Sequence, residues 1–326
     1  MPCAFITASF LASRVQAHRG AQRVHVLVRY MYSTASGSSG CKGHVEAARL
    51  RAKRPHSFAL GAAAGGMTGW LGWGAAQVLV PGLPGVGVSP LQAGALSLCT
   101  LAGITLSSSV KFLGEGCADM QRAVTLGLPA VCCAPIGAIA AGRVPGRTLQ
   151  IAFHVVTIFM MPAAAGHFAW KLQHSRSTQS GQQPAGASDL APLPPHPTAM
   201  ESTQHAAFGG VCGFLSAFLG VAGLPWVVTW YSVMSDLTHQ QCVGTTFMAV
   251  TPAVLAGTAA HFFRGNVPIA VFVPLAFGAA TGTYLGAAAH LSTPTEILQG
   301  VLGLSFVVAG CRSGFTLRTL LSRAVV

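Results

Sequence analysis

Charge is what this sequence lacks. Only 8% of its 326 residues are Asp, Glu, Lys or Arg, and just seven are acidic; a soluble globular chain carries roughly 25% charged residues. So few charges cannot clothe a water-soluble surface, which excludes a soluble enzyme, a coiled coil and a disordered chain. The first 45 residues contain no acid at all. No basic patch with interleaved aromatics occurs in the body, so nucleic acid is not an expected partner. The nine cysteines form no CxxC pair, and Cys132-Cys133 lies inside an apolar run. That spacing fits neither a disulfide framework nor a zinc site, and the cysteines read as small core-filling residues. The apolar stretches hold no Asp/Glu cluster and no paired histidines of the kind that hard or borderline cations prefer, which argues against a metal-cation permease.

What is present is apolar length. Residues A, V, I, L, M, F, W, Y and C make up 52% of the chain, and the mean hydropathy is +0.56. The net charge of +12 is concentrated at one end. Residues 1–57 carry nine Lys/Arg against Glu46, a net of +8, and the other 269 residues only +4. Two readings fit this basic leader: an organellar targeting segment, which would place the protein in the mitochondrial inner membrane or another organelle, or a disordered basic tail. Both leave it outside the fold.

A spanning helix needs about 20 predominantly apolar residues. Eight stretches qualify: Phe58–Val80, Leu91–Leu113, Ala123–Ala141, Thr148–Trp170, Ala206–Met234, Cys242–Phe263, Pro268–His290 and Glu296–Leu317. The sequence therefore predicts an all-α, polytopic integral membrane protein of about eight transmembrane helices. A Ser-, Gln- and Pro-rich linker at 171–204 divides a first repeat (58–170) from a second (205–318), and 319–326 is a tail. With the N-terminus inside, this eight-span topology puts twelve Lys/Arg on inner segments and only Arg143 and Arg147 outside, a clear positive-inside bias.

Sliding the chain by 148–149 residues aligns the halves. Gly61, Gly65 and Gly72 fall on Gly209, Gly213 and Gly220; Gly116 falls on Gly265, Gly137 on Gly286 and Pro145 on Pro294. Repeats of this kind are typical of secondary transporters, with the substrate site between them. Four spans per half would make the repeats parallel. A re-entrant hairpin in each glycine-rich stretch would make the count odd and the repeats inverted.

Those stretches read Gly61-x3-Gly65-x3-Gly69-x2-Gly72-x-Gly74 and Gly209-x3-Gly213-x3-Ala217-x2-Gly220-x-Ala222-Gly223-Leu224-Pro225. Spacing by four gives one small-residue face for close helix packing. The denser glycines that follow, with Pro81 and Pro225, predict a break near mid-membrane. Broken backbone at that depth must be buried in protein or line a cavity, and the start of a half-helix suits an anion.

The run ending in Val80-Pro81, its second copy, Cys242-Val243-Gly244-Thr245-Thr246, and Gly286-Ala287 before Leu291-Ser292-Thr293-Pro294 together resemble the sulfite exporter TauE/SafE family. The resemblance covers about residues 58–312. Ala75-Ala76 and Ala93-Gly94-Ala95-Leu96-Ser97 depart from the family pattern in the first half. The resemblance implies transport of small sulfur-containing anions such as sulfite and sulfonates, coupled to an ion gradient, with protons as a candidate, and no cofactor. On this basis the expected substrate-binding residues are Gly72, Gly74, Gln77, Gly220, Gly223, Pro225, Thr245 and Thr246, with Lys111 and Arg264 as candidate cations. No catalytic or metal-ligating residue is expected. His154, His167 and His261 read as interhelical hydrogen-bonders, with proton coupling as the alternative. The competing function is a non-transporting membrane scaffold whose glycines only pack helices.

Overall fold

The computed structural model describes residues 54–83, 88–178, 193–221 and 223–322. Most of the basic leader and the middle of the 171–204 linker lie outside these. The described residues form ten helices and no strand: α1 (Arg54–Leu71), α2 (Ala76–Gly82), α3 (Pro90–Gly114), α4 (Met120–Ala141), α5 (Gly146–Thr178), α6 (Ala199–Leu219), α7 (Leu224–Met234), α8 (His239–Phe263), α9 (Ile269–Ser292) and α10 (Thr295–Ser322). Part of the polar linker is thus helical, since α5 runs on to Thr178 and α6 begins at Ala199.

Local sequence sets the helix starts. Ser89 caps α3 by accepting from the Gln92 amide while the Gln92 side chain accepts from the Ser89 amide. Thr238 and Gln241 build the same reciprocal capping box on α8, satisfying donors that a helix start leaves unpaired. Asp119 caps α4 through the amides of Gln121 and Arg122.

Six helices, α3, α4, α5, α8, α9 and α10, are long and apolar enough to cross a membrane. Their outward faces carry large apolar side chains, with Phe159, Phe263, Phe277 and Phe315 each 69–74% exposed. An apolar surface of that extent requires lipid or a partner to cover it.

The other two apolar stretches are not crossings. α1 and α2 form a re-entrant hairpin: Gly82, at the end of α2, packs against the Leu60 side chain near the start of α1. Had the helix continued straight, 22 residues at 1.5 Å each would hold them about 30 Å apart. α6 and α7 form a second hairpin. Phe208 stacks on Trp230 with ring centroids 4.2 Å apart, and the Ser235 hydroxyl donates to Glu201 Oε1 at 3.1 Å. Phe58–Val80 and Ala206–Met234, each expected from the sequence to cross once, therefore enter and leave at the same end. The reversals are built on glycine: Gly72, Gly74, Gly220 and Gly223 all adopt φ between +68° and +87°, left-handed values that let the chain turn back where hydropathy registers only apolar length.

Close contacts define the two ends of the bundle. At the near end, where α1 begins, Arg147 donates to the Leu320 carbonyl, Arg264 donates to that of Ile139, and Gly146 lies against Pro90. At the far end the start of α4 meets the starts of α6 and α8.

The hairpin helices pack through glycine. Added Cβ atoms on Gly61, Gly65 and Gly69 of α1 would strike the carbonyls of Leu275, Ala279 and Thr283 on α9, and those on Gly278, Gly282 and Gly286 would strike Phe58, Ala62 and Gly66 in return. The α4–α6 pair repeats this, Gly209 and Gly213 against Leu126 and Ala130, and Gly137 against Phe214. Backbones this close leave room for no side chain.

Candidate functional site

The two chain reversals meet inside the bundle. A Cβ on Gly74 would lie 3.3 Å from Pro225 Cδ and 3.6 Å from Leu224 Cβ; one on Gly72 would lie 3.3 Å from Val243 and 3.7 Å from Val228. Gly220 sits against the Gly94 backbone, and Gly223 faces Trp226 and Cys212. Cys212 lies seven residues before the end of α6, so Gly223 already sits back along that helix when α7 begins. The starts of α2 and α7 thus face each other in the interior, and every described residue of 72–77 and 220–228 is buried.

Around this meeting point lie buried polar atoms with no hydrogen-bond partner: Trp73 Nε1, Gln77 Nε2, Ser97 Oγ, Ser216 Oγ, Trp226 Nε1 and Thr246 Oγ1. Thr246 and Ser97 are fully buried, and Gln77 is 6% exposed. Thr246 is one helical turn from Val243, which touches Gly72; Ser97 is one turn from Gly94, which touches Gly220. Leaving a buried polar group unpaired costs about 1–3 kcal/mol, so each of the six would gain from a polar partner. A cavity of about 30 Å³ behind the second reversal, lined by Gly94, Ala217, Gly220 and His261 among others, holds no more than a water molecule or two.

Of the residues expected from the sequence, Gly74 and Pro225 meet across the reversals and Gly72 faces Val228 and Val243 beside them, with Gln77, Gly220, Gly223 and Thr246 on the segments that adjoin them. Thr245 is occupied otherwise: its hydroxyl accepts from the Asp119 amide at 2.9 Å, tying α8 to the start of α4. Lys111 and Arg264 stand apart from the reversals and from each other. Lys111 pairs with Glu115 at 2.7 Å, and the exposed Arg264 donates to the carbonyls of Ala138 and Ile139 at the end of α4. His167 and His261 make interhelical hydrogen bonds, to Ser232 and to the Ala217 carbonyl.

One cluster has no counterpart in the sequence reading. At the far end Arg122, 4% exposed, places Nη1 2.5 Å from Asp119 Oδ2 and Nε 2.8 Å from Glu201 Oε1, and donates Nη2 to the Pro195 carbonyl at 3.1 Å. The Tyr231 hydroxyl donates to the Arg122 carbonyl, Trp230 Nε1 donates to His205 Nδ1 at 2.9 Å, and His205 Nε2 lies 3.3 Å from Glu201 Oε1. The spacings Asp119-x2-Arg122 and Glu201-x3-His205, one helical turn each, were the signal available in the sequence.

Known proteins place this architecture. The sequence profile of the sulfite exporter TauE/SafE family matches residues 57–313. The chain belongs to the sulfite exporter TauE/SafE family. It is an integral, multi-pass membrane protein. A curated relative from Bacillus subtilis (strain 168), described as "Probable membrane transporter protein YdhB", is 26% identical over 108 residues, which cover 33% of this chain and 44% of the relative. The TauE/SafE chain thus spans under half the length of that relative. No solved structure matches. The profile match spans both hairpins, so the reversals and the polar atoms around them lie inside the family region.

Proposed function

We propose that this protein is a transporter that moves small sulfur-containing anions, of the sulfite and sulfonate type, by alternating access between two inverted repeats. The observation that carries the reading is the meeting of the two reversals, with half-helix starts and unpartnered donors converging where the halves touch. α7 brings the positive end of its backbone dipole to that point. Indole N–H, carboxamide and hydroxyl groups are neutral donors, which suit oxyanion oxygens and hold them loosely enough for release. Membership of the sulfite exporter family and the likeness to a probable membrane transporter of Bacillus subtilis support the same reading.

The repeat reading gains support from correspondence between the halves. All six glycines with positive φ among the described residues pair at 148–149 residues: Gly72 with Gly220, Gly74 with Gly223, Gly116 with Gly265. The capping boxes at Ser89 and Thr238 pair likewise. A hairpin plus three crossings per half is an odd count, which inverts the second repeat relative to the first.

The hairpins also rearrange the loop charges. Among the described residues, Arg54, Arg143, Arg147, Arg264, Arg312 and Arg318 fall at the near end, against Lys111, Arg122, Lys171 and Arg176 at the far end. The near end remains the more basic, and the positive-inside rule places it on the cytoplasmic or matrix side.

The test is sulfite flux into proteoliposomes holding the purified chain, with and without a pH gradient. Saturable uptake that Gly223→Leu abolishes in folded protein supports the reading. Folded protein that moves neither sulfite, sulfonate, sulfate nor thiosulfate indicates the scaffold instead.

A further inference from the structure

The charge cluster at the far end is unbalanced. Arg122 supplies one positive charge, Asp119 and Glu201 two negative ones, and all three are largely buried, with side chains 5%, 10% and 17% exposed. Burial opposes charging a group here, and the surplus negative charge of Glu201 and Asp119 works against that opposition. The hydrogen bonds identify where a proton lands. Because Trp230 donates to His205 Nδ1, that nitrogen has no proton, and the imidazole is the neutral tautomer with its hydrogen on Nε2. Nε2 faces Glu201 Oε1 at 3.3 Å but is out of line for a hydrogen bond in this state. A proton added at Nδ1 turns the acceptor into a donor, so it cannot coexist with the Trp230 bond. The imidazolium then faces the Glu201 carboxylate, and the cluster is neutral.

Among the described residues, the charged groups facing His205 are Glu201 on α6 and Arg122 and Asp119 on α4. From α7 the Trp230 and Tyr231 rings pack edge-on against it. Trp230 is the lever. It lies on α7, a single 11-residue helix whose other end is the reversal that contacts Gly74. Losing the indole bond leaves Trp230 held to α6 by its stack on Phe208, and loosens the return arm of the hairpin. The first repeat has no such device: at 148–149 residues the positions of Asp119, Arg122, His205 and Trp230 correspond to Pro268, Val271, Ser57 and Pro81.

The geometry points to His205 as a proton-binding site, filled from the far end past the partly exposed Glu201, whose protonation frees Trp230 and thereby couples a proton to movement of α7. The coupling rests on the transporter reading; the proton site does not. Two measurements separate them. In the first, the full chain in lipid nanodiscs carries 15N-labelled tryptophan, and the Trp230 indole resonance, assigned with Trp230→Phe, is followed from pH 8 to pH 5. The expected result is a shift with a single midpoint that disappears in His205→Gln. An indole that ignores pH, or that titrates unchanged in His205→Gln, overturns the proposal. In the second, proteoliposomes with a one-unit pH gradient are read at steady state, so a slower variant still reports. One coupled proton supports up to about tenfold sulfite accumulation, which His205→Gln should abolish. Wild-type accumulation in that variant overturns the coupling. A titrating indole in a chain that moves none of sulfite, sulfonate, sulfate and thiosulfate sinks the transporter reading and leaves the proton site standing.

Discussion

At the residue scale, binding groups and packing groups differ in what their removal does. Thr246 buries a hydroxyl with no partner, so Thr246→Val deletes a group that the resting protein does not use. Its thermal unfolding temperature should hold or rise. Sulfite affinity should fall about tenfold, because a hydrogen bond to a charged group contributes about 1.5–3 kcal/mol. A variant that loses stability but keeps its KM would assign Thr246 to packing. Arg122 predicts the opposite pattern. Arg122→Met strands two buried carboxylates and should cost about 3–5 kcal/mol, read as a drop in the unfolding midpoint in detergent. Adding Asp119→Asn and Glu201→Gln should recover much of it. The packing glycines were legible in the sequence, since Gly61 and Gly65 follow from spacing alone. Arg122 was not: tallied as a loop charge, it finds Glu201 79 positions away, and no local pattern announces that pairing.

At the element scale, the glycine breaks could be read from the sequence and their direction could not. A break can kink a span or reverse it. The decision rests on long-range contacts such as Gly82 with Leu60 and Trp230 with His205. Gly220 holds the second reversal in the left-handed region against Gly94. Gly220→Ala therefore meets about 1–2 kcal/mol of backbone strain plus a collision with that backbone, and should lower the yield of folded protein. The hairpin itself is open to labelling. His196 precedes α6 and Asp236 follows α7, so a cysteine at either position, in a cysteine-free background, should react with an impermeant maleimide from the same side of sealed vesicles. A single crossing over Ala206–Met234 would put them on opposite sides.

At the scale of the whole molecule, the halves are interlocked rather than adjacent. α1 of the first half lies along α9 of the second, and α6 of the second lies along α4 of the first, each through glycines that admit no other neighbour. Each hairpin is thus held by the opposite half, and α3 and α8 also meet across the boundary. Neither half can bury its small-residue faces alone, although the sequence repeat suggests two self-sufficient modules. Cutting the chain within residues 179–192 tests this. Expressed singly, each fragment should aggregate or be degraded, because the non-helical reversal at Gly72 and Gly74, or at Gly220 and Gly223, loses the opposite half that buries it. Expressed together, the fragments should co-purify as one monodisperse species and recover sulfite flux. A lone fragment that runs as a folded monomer would mean that the cross-half helix pairs contribute little to the fold.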